Sequence, residues 1–362
     1  MKKTSLKARE LFAILTITVG FKLADTTASN YAQEGKNAFW LMPIVSFLIM
    51  IPSLLLLMYL LKKYKNKNLI QLIKKILGKH VGLFVSLIIF LVAYSLLIVD
   101  ARNYADQIKI LYFPESPTPI IQMIFLIVIF YGAKRGLQSI GTSTYITLPY
   151  LKISIILLAL LIAQSIVWLR IFPIFGDGLG VLLLEGARRG SIFADLFIVT
   201  IAYTAFSNSK AFSKGLIFGS LFSWIEITIF FLLYTTVFDY NSIDKRAFLF
   251  HDITQYVNFG VFFTNVETFF MVFWLGAAFL RFIILIYLVS WILGETLNLD
   301  EFEPLIFPLT FFVFPLSLIA ENTITNELSF RNNLFTIATP IFIFMPILLW
   351  IVAKSKGELK KI

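Results

Sequence analysis

The 362-residue chain has no cysteine and two histidines, His80 and His251. The first absence removes disulfides, thiolate catalysis and thiolate metal ligation, and the second leaves no imidazole pair at a metal-binding spacing. Charge is scarce, at 14% of residues, against about a quarter in a soluble domain. No phosphate-binding glycine loop and no nucleophile motif occurs, so neither an enzyme nor a cofactor is expected. Low-complexity tracts, short-period repeats and any stretch able to form a separate soluble domain are missing too.

What remains is apolar: 59% of the chain is hydrophobic, 39 residues are phenylalanine, and the mean hydropathy is +0.85. The composition is that of an all-α polytopic membrane protein. At about 20 residues per crossing, ten spans are expected, near 10–30, 39–61, 82–110, 119–133, 142–168, 189–209, 214–238, 262–287, 304–320 and 333–353. The fourth and ninth are short, and Pro304, Pro308 and Pro315 are expected to kink the ninth.

The net charge of +10 suggests orientation rather than nucleic acid. With both termini cytoplasmic, nineteen lysines and arginines fall inside and seven outside, seven of the nineteen being lysines between Lys62 and Lys79. That connection reads as a basic interfacial helix, LIQLIKKIL. The basic N-terminus, MKKTSLKARE, is read as the start of an uncleaved first helix. A short surface helix is expected around Phe248–Tyr256.

The first span loses its hydrophobicity partway. After Leu11–Val19 come Gly20, Lys22, Asp25 and the polar run Thr26–Asn30. Intramembrane charge beside a glycine points to a broken helix, which membrane proteins tolerate where protein or water surrounds it. The sixth span dissolves likewise at Thr200–Ser209. Interrupted helices at matching places in two halves are the pattern of a LeuT-like 5+5 inverted repeat, here about 10–168 and 189–353 of a single membrane domain, 1–362, with a solute site at the midplane.

The polar residues inside spans are the site candidates. Gly20 is expected to free backbone groups for a ligand, with Lys22 and Asp25 beside it, or else these two pair near the mouth or Lys22 snorkels. In the third span Arg102, Asp106 and Lys109 share a face as an ion-pair network, and Tyr94 lies deeper as a ligand candidate. The sixth offers Asp195, Thr200, Tyr203 and Ser207, whose hydroxyls either meet a ligand or bond their own helix. The eighth carries Glu267, Trp274 and Arg281 on one stripe; about 21 Å separates Glu267 from Arg281, so each needs another partner. Glu226 in the seventh is the most isolated carboxylate, and either relays protons or packs on an unseen partner.

Several motifs, taken in order, resemble one family. KNAFW (Lys36–Trp40) is similar to an aspartate-alanine-tryptophan signature before span two, with Asn37 in place of the acid. LGKHVG (Leu77–Gly82), PESPTP (Pro114–Pro119), FPIFGDGLGVLLLEG (Phe172–Gly186) and NVETFFMVFW (Asn265–Trp274) match its other stretches. YGAKRGLQSIGT (Tyr131–Thr142) does so as well, with Gly141 and Thr142 where the family has alanine-arginine. The family is the B subunit of bacterial spore nutrient germinant receptors, within the amino acid/polyamine/organocation transporter superfamily. The resemblance implies a transporter-like fold used for sensing a small nutrient such as an amino acid. It also implies an A-type membrane subunit and a C-type lipoprotein as partners in the spore inner membrane. An amino acid permease coupled to H⁺ or Na⁺ is the alternative.

Overall fold

In the computed structural model, which describes residues 6–257 and 266–361, the chain is a bundle of helices. Helix α1 (Ala8–Thr18) stops at a 3₁₀ turn, Gly20–Leu23, and resumes as α2 (Thr27–Gly35). A further 3₁₀ stretch leads into α3 (Met42–Lys63), followed by α4 (Leu69–Leu77), α5 (Lys79–Tyr112), α6 (Thr118–Ala133) and α7 (Gly136–Leu161). After α8 (Leu179–Arg188), residues 190–205 alternate between 3₁₀ turns and one α-turn. Then come α9 (Ser209–Val237), α10 (Val266–Leu297), α11 (Ile306–Ser317) and α12 (Asn332–Ser355). Among the described residues six helices are long and apolar enough to cross a membrane, with shorter apolar ones at Thr118–Ala133, Gly190–Ala205 and Glu303–Ser317.

Apolar helical segments stand where most of the spans are expected, within a few residues. The eighth runs ten residues farther, to Leu297, and the part expected from 262 to 265 lies outside the described residues, as do Lys2 and Lys3. The short helix expected around Phe248–Tyr256 appears at Leu249–Thr254, but five of its six residues are buried, so it packs into the protein rather than lying at the surface. Just before α12, Asn326–Arg331 forms a π-turn rather than a loop.

The expected interfacial helix departs from its reading. Leu69, Ile70, Leu72, Ile73 and Ile76 of α4 are buried in the protein, not laid on lipid. Polar capping explains the docking. Asn68 and Gln71 donate to the Glu295 carboxylate, and Lys74 Nζ donates to the Glu295 and Thr296 carbonyls at 2.6 and 2.8 Å, so α4 satisfies the C-terminal end of α10.

Close contact between α1 and α9 holds the first half-helix. Gly215 and Gly219 lie four apart on α9, and a Cβ at 215 would stand 2.7 Å from the Ala8 carbonyl oxygen. Small residues at this spacing let two membrane helices approach at backbone distance. Replacing Gly215 by leucine is expected to push α1 off α9 at a cost of about 1–3 kcal/mol, read as a lower thermal-unfolding midpoint in detergent. Leucine at Gly180, where a Cβ meets nothing within 4 Å, is the matched control and should leave the midpoint in place.

Candidate functional site at the break in the first span

Breaking a helix inside a membrane exposes carbonyls that lipid cannot satisfy. Side chains from two other helices, α9 and α10, fill that need. Arg281 Nε donates to the Thr18 carbonyl at 3.2 Å, Tyr234 Oη to that of Leu23 at 2.8 Å, and Trp274 Nε1 to that of Ala24 at 3.0 Å. Lys22 Nζ donates across to the Ile192 carbonyl at 2.6 Å. Trp274 is fixed by stacking on Tyr104, their ring centroids 5.3 Å apart.

Around the break lies a buried ionic network. Arg281, at mid-length of the 32-residue α10 and 1% exposed, meets Asp25 at 3.2 Å and Asp100 of α5 at 2.6 Å. Arg331, closing the π-turn, meets the same two carboxylates at 3.5 and 3.3 Å. It also meets Glu327 at 3.2 Å and donates to the hydroxyls of Thr26 and Thr27. Glu327 accepts from Thr26 and from Asn103 at 2.7 Å, while Asn326 donates to the Val99 carbonyl and to Asn103. The widened π-turn thus points Asn326, Glu327 and Arg331 at α5 and the break together; such turns recur at functional sites. Lys22 pairs with Asp195 at 2.8 Å. Between Lys22, Asp100, Asp195 and Arg331 lies a cavity of about 10 Å³, the size of about one water.

The network is covered at both ends. Toward the lysine-rich end, the Leu6 amide donates to the Ala205 carbonyl at 3.1 Å and the Ser207 amide to that of Leu6 at 3.3 Å. At the other end Arg189, 2% exposed, donates to Asn30 of α2 and Asn332 of α12 and pairs with Glu185 and Glu34. Tyr31 donates to its carbonyl at 2.8 Å.

The structure brings five sequence candidates together: Lys22, Asp25, Asp195, Trp274 and Arg281. Lys22 and Asp25 do not pair with each other but face different partners. Arg102 and Asp106 pair at 2.8 Å beside the network, where Thr323 donates to Asp106. Glu226 has found its partner, Lys152 of α7, at 2.5 Å, and its other oxygen faces Gly20, 2.6 Å from where a Cβ would stand. Five others lie apart. Tyr94 donates to the Leu309 carbonyl and lines an apolar groove of about 750 Å³ between α5, α11 and α12. Thr200 bonds the Phe197 carbonyl of its own segment, Tyr203 packs edge-on against Phe212, and Ser207 sits at the Leu6 contact. Glu267 is half-buried at the start of α10.

Sequence reading missed Asp100, Asn103, Tyr104, Glu327 and Arg331. The first three had a signal, since positions 100, 103, 104 and 107 mark one polar helix face. Glu327 and Arg331 fell in what reads as a loop.

With this geometry in view, likeness to known proteins becomes informative. A family profile described as spore germination protein matches residues 7–326. The chain belongs to the spore germination protein family. YfkT of Bacillus subtilis (strain 168), a protein named for spore germination, is 27% identical over 67% of the chain and 65% of its own length. Spore germination protein B2 of the same organism matches over 32% of both chains at 28% identity. Spore germination protein A2 is 24% identical over 88% of the chain and 87% of its own length. The chain therefore spans a little under two thirds of YfkT and about a third of B2. Among solved structures, a manganese transporter mutant of Eremococcus coleocola superposes with a TM-score of 0.55 at 12% identity, covering 95% of the chain and 77% of that protein. At that identity the likeness concerns the fold, which is a transporter's.

Removing Arg281 would leave Asp25 and Asp100 short of a buried partner. Arg281→Met is expected to cost about 3–5 kcal/mol, measured as a lower unfolding midpoint. Arg188→Met, at a pair whose arginine is 52% exposed, should cost under about 1 kcal/mol.

Proposed function

We propose that this chain is the membrane subunit of a spore nutrient germinant receptor, binding a small nutrient of the amino acid type at the broken first span and so helping to trigger germination. In this reading ten crossings form one membrane domain built as a 5+5 inverted repeat, about 10–168 and 189–353. Both termini face the cytoplasm from the spore inner membrane, and the lysine-rich end is the cytoplasmic one. The partners are an A-type membrane subunit and a C-type lipoprotein. No catalytic step is involved: the nutrient acts by binding.

The observation that carries the proposal is the division of charge at the break. Lys22 points to Asp195 on the sixth span, whereas Asp25, three residues on, points to Arg281 on the eighth and to Arg331 in the π-turn before the tenth. A zwitterion has the charges to exchange with both. Its carboxylate would replace Asp195 at Lys22, and its ammonium would replace a guanidinium at Asp25 or Asp100. With about 10 Å³ of free volume, the closed arrangement has no room for such a molecule, so binding requires the first and sixth spans to part. A ligand that makes these contacts only in the parted state shifts the population toward it, which is what a sensor needs.

Spores carrying this subunit alone among parallel receptors test the reading. Disruption of the gene should abolish nutrient-triggered germination. Lys22→Gln should raise the nutrient concentration for half-maximal response by about tenfold or more, the loss of one charge-assisted hydrogen bond. Germination unchanged by disruption, for every nutrient tried, would contradict the proposal. Uptake of the nutrient by the purified chain in liposomes would instead favour an amino acid permease coupled to H⁺ or Na⁺.

A further inference from the structure

The buried network is out of charge balance. Its carboxylates are Asp25, Asp100, Asp195 and Glu327, and its cations are Lys22, Arg281 and Arg331. Lys22 and Asp195 cancel, which leaves three carboxylates facing two guanidiniums. The adjoining Arg102–Asp106 pair is neutral in itself and changes nothing. All seven side chains are at least nine-tenths buried. A surplus charge at this depth in a membrane is so costly that the group neutralises instead.

Two features of the geometry say which carboxylate does so. Asp25 and Asp100 each meet both guanidiniums, whereas Glu327 meets Arg331 alone, its other donors being the neutral Thr26 hydroxyl and Asn103 amide. The Arg331–Glu327 contact is also not the two-nitrogen fork of a charged pair. One nitrogen, Nη1, lies 3.2 Å from both carboxyl oxygens, and the buried Arg331 Nε has no hydrogen-bond partner. The charged groups around Glu327 are Arg331 on its own segment, Asp25 at the break, Asp100 on α5 and, beyond Asp25, Arg281 on α10. The two aspartates oppose a further negative charge.

We infer that Glu327 is a proton-binding site, protonated while the break is closed and ionised when the break parts from the π-turn. On parting, the carboxyl O–H bond breaks, its electron pair stays on Glu327, and the proton passes to entering water. Arg331, freed from Asp25 and Asp100, is then available to pair with Glu327 through two nitrogens. A metal cation is a poor substitute for the proton, because Lys22 and Arg331 both line the small cavity beside the network. The inference goes beyond the receptor reading and needs no nutrient for its test, so either can fail without the other.

The experiment is infrared difference spectroscopy across pH steps on the full-length chain in liposomes, with no ligand added. A protonated-carboxyl band is expected at neutral pH, lost in Glu327→Gln and retained in Glu226→Gln. Thermal unfolding supplies a second readout. Glu327→Gln, an amide in place of a neutral acid, should keep the midpoint, while Asp100→Asn should lower it by about 5 °C or more. A band absent at neutral pH, or persisting in Glu327→Gln, would overturn the inference. So would a midpoint falling in Glu327→Gln as far as in Asp100→Asn, or one that rises with sodium or potassium and is indifferent to pH. Should Glu327→Gln fail to fold, Glu327→Asp decides by whether it moves the band.

Discussion

Unsatisfied backbone inside a membrane is the constraint on which the rest of this structure depends. Where α1 stops, the carbonyls of Thr18, Leu23 and Ala24 turn away from helical partners, and Arg281, Tyr234 and Trp274 take them up. Arg281 then carries its charge into the interior, where it needs Asp25 and Asp100. Those carboxylates in turn bring in Arg331 and the π-turn. The break, the ion network and the π-turn are therefore one construction, each part following from the polar groups that the previous one leaves exposed.

Such an arrangement suits a two-state element better than a static core. Buried ion pairs contribute little net stability relative to apolar packing, but breaking them one-sidedly is costly, so they favour discrete arrangements over gradual ones. The two closures act on the same segments. The Leu6 contact ties the residues before α1 to the end of the 190–205 segment, and Arg189 ties α2 to the start of α12. Movement at the break would thus be felt at both ends of the bundle.

Much of the fold was legible because membrane helices announce themselves by length and composition. The break at Gly20 was legible too, since a regular lipid-facing helix does not accommodate a charge pair and a polar run halfway along its length. Partner choice was not. Lys22 and Asp25 are three apart and read as neighbours, yet the 3₁₀ turn rotates them onto different segments. Glu226 looked isolated because its partner, Lys152, lies 74 residues away on a span that otherwise reads as plain. The basic helix α4 showed an apolar face but not what that face covers; lipid and a protein interior are equally apolar to a sequence. Glu327 and Arg331 were hidden because a π-turn has no composition of its own.

The absence of cysteine permits the most direct test of the central claim, that the ionic network holds the break closed. Ala28, fully buried one residue past the start of α2, can be replaced by cysteine and probed with a membrane-permeant thiol reagent on the purified protein. Labelling should be slow with the network intact and at least about tenfold faster when Arg331→Gln is added, because the local opening that exposes α2 then costs less. Rapid labelling with the network intact, or a rate that Arg331→Gln leaves unchanged, would mean that something other than these charges keeps the first span in place.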